Sequence, residues 1–140
     1  MKYRELKKYQ YGLMEIYRIN VNLPDAFGNF MSVSDGTLVI RKHYAWDGSS
    51  VPLKRCYKWI WNADKYCKTA SLVHDALCQL IREDLLPMKY KEQVDTIYRD
   101  MCIAKGMPSW QANTRYKMIR KYGDKYVLPG SDSRGKILED

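Results

Sequence analysis

The spacing of apolar and polar positions changes once along the chain, and that change divides it. Up to about residue 46 the period is two. Leu13, Glu15, Tyr17, Ile19 and Val21 fall on one parity, which predicts a strand over about 12–22. Pro24, Asp25, Gly28 and Asn29 mark a turn or loop. Residues 30–34 and 37–44 flank Asp35-Gly36, a dipeptide whose two positions both accept positive φ, so a two-residue hairpin is predicted there. The stretch Trp46-Asp47-Gly48-Ser49-Ser50-Val51-Pro52 is dominated by small and polar residues and ends on a proline; it reads as loop.

Beyond it the period lengthens. Lys54 to Trp61 reads as a short helix or turn. Leu72, Val73, Ala76, Leu77, Leu80 and Ile81 line one face of a helix over 65–83. Pro87 opens a second helix, with Val94, Ile97, Tyr98 and Met101 on its inward stripe and Gly106 closing it. Ser109 caps a third, Trp110 to Lys121, which ends at Gly123. Strands first and helices afterwards make an α+β fold: an N-terminal antiparallel hairpin region, then a three-helix part. Residues 1–123 form one domain in this reading, and 124–140 an irregular tail.

The link from Ile81 to Pro87 is short, so the two long helices pack antiparallel. His74 and Cys67 are seven residues apart and share a face; so do Asp95 and Cys102. A register that sets His74 opposite Asp95 therefore also sets Cys67 opposite Cys102. Asp95 then accepts a hydrogen bond from one nitrogen of His74 and leaves the other for proton transfer. The competing account of the same residues is a polar tie between two helices.

Composition narrows the class. A chain of 140 residues with 46% hydrophobic positions is long enough for one core. No apolar run is long enough to span a membrane. The charged start, Met1-Lys2-Tyr3-Arg4, has no apolar stretch behind it, which sets the expectation of no signal peptide. The net charge of +8 favours an anionic partner: a phosphate-bearing small molecule, a lipid headgroup or nucleic acid. The excess is uneven, +1 over residues 1–40, +5 over 41–69, −1 over 70–105 and +3 over 106–140. Lys54, Arg55 and Lys58, interleaved with Tyr57, Trp59 and Trp61, are the candidate anion-binding residues, against a plainer reading as a solvated face over buried aromatics. The four cysteines contain no C-x-x-C pair, so a zinc ribbon is not indicated.

The run Tyr44 to Pro52, the helix segment Ala70-Ser71-Leu72-Val73-His74-Asp75-Ala76-Leu77, and Asp95 through Gly106 together resemble the three motifs of a tailed-phage and prophage family called domain of unknown function 1353. The resemblance covers roughly residues 37 to 123. It implies a phage or prophage origin, a place in the host cytoplasm or the virion, and other phage proteins as partners; it carries no agreed activity. Cys78 stands where that family usually has an aromatic residue.

The same residues are more distantly similar to calcium-dependent secreted phospholipases. That likeness implies His74 as the base, Asp95 as its orienter, and Asp75 and Asp47 as calcium ligands. Carbonyls near Trp46 to Gly48 would complete the site of a metal-assisted hydrolase, with Trp46, Gly48, Ser49 and Ser50 of that loop as binding residues. The disulfide frame of those phospholipases is absent here. The ordered set His43, His74-Asp75 and Asp95 is also similar to metal-dependent phosphohydrolases of the HD type, but their first histidine lies on a helix and His43 reads as an exposed strand residue. The non-enzymatic alternative is a virion or assembly component, or an inhibitor of a host factor, that binds an anion through the basic flanks.

Overall fold

The structure, a computed structural model, describes residues 1–5, 11–46 and 64–129. Among these residues seven short strands precede three helices: β1 Tyr3–Glu5, β2 Tyr11–Leu13, β3 Tyr17–Asn20, β4 Ala26–Phe27, β5 Met31–Ser34, β6 Thr37–Ile40 and β7 Ala45–Trp46, then α1 Asp64–Arg82, α2 Lys91–Ala104 and α3 Ser109–Tyr122. All strand pairings are antiparallel, in a three-stranded sheet ordered β1-β2-β7 and a four-stranded sheet ordered β3-β6-β5-β4. The α+β reading is therefore what the chain forms.

The hairpin lies where Asp35-Gly36 places it. Asp35 has φ 50° and Gly36 φ 76°, the two positive values a tight turn between right-twisted strands requires. Its register sets Met31 against Ile40 and Val33 against Leu38, while β3 sets Tyr17 against Ile40 and Ile19 against Leu38. One face of this sheet thus carries Met31, Val33, Leu38 and Ile40, all buried. They share a core with Leu72, Val73, Ala76, Leu77, Leu80 and Ile81 of α1.

Three local expectations change. The strand expected over 12–22 is two strands, because Leu13 bonds across to His43 and Tyr44 while Tyr17 pairs with Ile40 in the other sheet. A bend at Met14–Glu15 hands the chain from one sheet to the other. His43 is not in a strand; it sits exposed in a turn with φ 76°. Trp46 is not in a loop. It ends β7, fully buried, and its indole N–H donates to the Lys68 carbonyl at 3.2 Å, which fixes this sheet on the first turns of α1.

The helices follow their predicted stripes. Pro87 begins a 3-10 turn, Met88–Tyr90, that leads into α2. Pro108, not Ser109, holds the cap position of α3, so Ser109 is its first helical residue. Beyond Gly123 the chain continues as a 3-10 turn, Asp124–Tyr126, and Val127 is buried in the main core. Among the described residues no helix is long and apolar enough to cross a membrane.

Candidate functional site

Two contacts fix the register of the antiparallel pair α1 and α2. His74 Nε2 donates to Asp95 Oδ1 at 2.7 Å. Two turns away, in opposite directions along the two helices, Cys67 and Cys102 are buried in one cluster and their thiols hydrogen-bond. That bond and burial push the Cys102 thiol up. Tyr98 lies between the two levels. Its ring meets His74 edge-on, with centroids 5.2 Å apart, and its hydroxyl accepts from the buried Arg115 at 3.2 Å.

Asp95 is the hub. It has no exposed surface. Besides His74 it accepts from Lys91 Nζ, 2.7 Å from each carboxylate oxygen, and from Arg120 of α3 at 2.8 Å. Lys91, itself only 2% exposed, lies one turn before Asp95 on the same face of α2. Arg120 and Lys91 also reach Asp124, at 3.3 and 3.5 Å. One carboxylate thus joins all three helices. Burial alone would raise the pKa of Asp95; the bond and charge of His74, with Lys91, outweigh it and hold the carboxyl below its ordinary range.

His74 is nearly as enclosed. Burial works to lower its pKa, but the Cys78 sulfur and the bond to Asp95 outweigh it and push it up to about 10. At neutral pH the ring is an imidazolium, with both nitrogens donors. Nε2 is committed to Asp95. Nδ1 meets, among the described residues, only the Cys78 sulfur at 3.6 Å. That sulfur is also 3.8 Å from Nε2, and such similar distances put it off the line of the Nδ1–H bond. Cys78 therefore sits against the ring without taking up the directional capacity of Nδ1.

Of the residues expected to form the site, the structure brings His74 and Asp95 together. Asp75 follows His74 on α1 and is half-buried. Asp47, Gly48, Ser49, Ser50, Lys54, Arg55 and Lys58 lie outside the described residues, as does the expected helix over 54–61. Calcium takes six to eight oxygen ligands. Both oxygens of Asp95 are occupied by cationic groups, and among the described residues no three of His, Cys, Asp and Glu gather as metal ligands. The expected calcium ligands are Asp75 and Asp47, and of the two only Asp75 lies within the described residues. Lys91, Arg120, Asp124 and Cys78 are the members that sequence reasoning missed. Lys91 and Cys78 were within reach, since each lies four residues along a helix from a residue already singled out.

The sequence model of the family described as Protein of unknown function (DUF1353) matches residues 27–119, about two thirds of the chain. No curated protein and no solved structure matches the chain.

Proposed function

Since the chain belongs to the family described as Protein of unknown function (DUF1353), a title that names no activity, we propose a function from the centre itself: a small hydrolase of ester or phosphate-bearing substrates, in which His74 transfers the proton. The resemblance to phage sequences supports placing its work in the host cytoplasm or the virion. The carrying observation is the division of labour on one ring. Nε2 is locked to a carboxylate whose own lone pairs are held by Lys91 and Arg120, while Nδ1 keeps its directional bond unspent on any described oxygen.

An imidazolium gives a proton before it takes one. Water therefore attacks the ester or phosphoryl centre as the leaving-group oxygen departs with the His74 Nδ1 proton, and the neutral ring then takes the proton that the attacking water sheds, which restores the imidazolium. Asp95 positions it and stabilises its charge. The expectation of His74 as base shifts to the second step, and no step is routed through a metal.

A second reading has its own support. A buried carboxylate saturated by three cationic groups is also what a structural tie between helices looks like. The chain would then act by binding an anion elsewhere. Hydrolysis of alkyl esters and alkyl phosphate monoesters, whose leaving oxygens need a proton, with and without calcium, separates the two. The hydrolase reading expects turnover that His74→Gln lowers roughly 100-fold or more, in a variant still folded by circular dichroism. Absence of turnover on every substrate, or equal turnover by His74→Gln, would overturn it.

A further inference from the structure

Among the described residues, the outer face of α3 is a strongly patterned surface that the His74 centre does not use. Trp110 is 65% exposed, an unusual position for so large an apolar ring. At about 100° per residue, Thr114, Lys117 and Lys121 fall within roughly 40° of the line through Trp110, and the stripe runs about 16 Å along the axis. Lys117 and Lys121 are exposed, as is Asn113 beside them. Lys121 lies against the Tyr122 ring at 5.2 Å. The helix contains no aspartate or glutamate, and Asp124, just past its end, is engaged by Arg120 and Lys91. Lys105 before the helix and Lys125 after it are exposed as well.

We propose that this face binds single-stranded nucleic acid, stacking a base on Trp110 and pairing phosphates with Lys117 and Lys121. The assignment is independent of the hydrolase reading. Cations in line with an exposed flat ring, and no carboxylate on the same helix, complement a polyanion that also presents unstacked π faces. A duplex offers the phosphates but keeps its bases stacked. A membrane surface would require a continuous apolar face, whereas every other member of this stripe is polar.

The test uses the full chain and a fluorescein-labelled mixed-sequence oligonucleotide, read by anisotropy across a salt series. Binding is expected at low salt and should weaken as salt rises. Lys117→Glu/Lys121→Glu should flatten the log–log salt slope by about 1.4, some 0.7 for each lysine. Trp110→Ala should weaken binding about tenfold or more at fixed salt. All three residues are exposed, so unchanged melting temperatures will confirm folded variants. No binding at low salt would overturn the proposal. So would an unchanged slope in the double variant, equal affinity for Trp110→Ala, or preference for duplex or anionic vesicles over the single strand.

Discussion

Replacing Asp95 by asparagine keeps the shape of the hub and removes its charge. The amide oxygen can still accept from His74, but the NH2 group now points at cations. The consequences differ between them. Arg120 is about a quarter exposed and keeps Asp124 at 3.3 Å, so it can turn toward water. Lys91 is 2% exposed; its remaining carboxylate is Asp124 at 3.5 Å, itself 41% exposed. The loss therefore falls mainly on an ammonium that has little access to solvent. Breaking a buried pair in this way costs about 3–5 kcal/mol. In a domain of this size that lowers Tm by roughly 10–15 °C.

The mechanism makes a sharper claim than the magnitude. If the stranded cation is what hurts, removing it should help. Asp95→Asn/Lys91→Met should be about 1–3 kcal/mol more stable than Asp95→Asn, while Lys91→Met alone costs less than Asp95→Asn because Asp95 keeps His74 and Arg120. Urea unfolding followed by circular dichroism on the three variants and the parent gives the cycle. A cost below about 1 kcal/mol for Asp95→Asn, or a double variant no more stable than it, would refute the reasoning.

Two further outcomes follow from the structure. The pKa of His74 is about 10 in the folded chain and near 6.5 when unfolded, so its stabilisation is full below about pH 6.5 and is lost as pH rises through 10. The lowered Asp95 works oppositely, its contribution being lost as pH falls below the ordinary carboxylate range. Urea midpoints from pH 6 to 10 should fall more steeply for the parent than for His74→Gln, and parallel curves would contradict the assignment. At Gly123 an added Cβ would lie 2.5 Å from the Ile119 carbonyl oxygen, which also accepts the Gly123 N–H. Gly123→Ala should cost about 1–3 kcal/mol, and an unchanged Tm would show that the helix end relaxes freely.

The helix pair was legible because a seven-residue repeat on each helix makes one register satisfy two contacts at once: Cys67 with Cys102 follows from His74 with Asp95. Arg120 was not, since it arrives from a third helix whose rotation no local spacing fixes. The break near Met14 escaped for a related reason. Leu13 and Tyr17 keep the same parity across the bend, so alternation cannot report that their partners belong to different sheets. His43 has positive φ without being glycine, a conformation its side chain does not announce. At Trp46 the turn-forming residues that follow conceal its pairing with Tyr11 and its indole bond to the Lys68 carbonyl, 22 residues away on α1.

Charge accounting at the hub revises what a basic chain implies. Lys91 and Arg120 count toward the net charge of +8, yet they are spent on Asp95 and Asp124, cation for carboxylate. The centre is then balanced before His74 is counted. An anion reaching it would be drawn by the imidazolium and by little else in the described residues. That attraction switches off when the ring loses its proton, so anion affinity at His74 and its capacity to donate must decline together as pH rises through 10. Attraction on the outer face of α3 rests on lysines and outlasts the loss of the imidazolium. The two sites can therefore be told apart in one protein: Lys117→Glu/Lys121→Glu should leave ester turnover unchanged while weakening the polyanion, and His74→Gln should do the reverse.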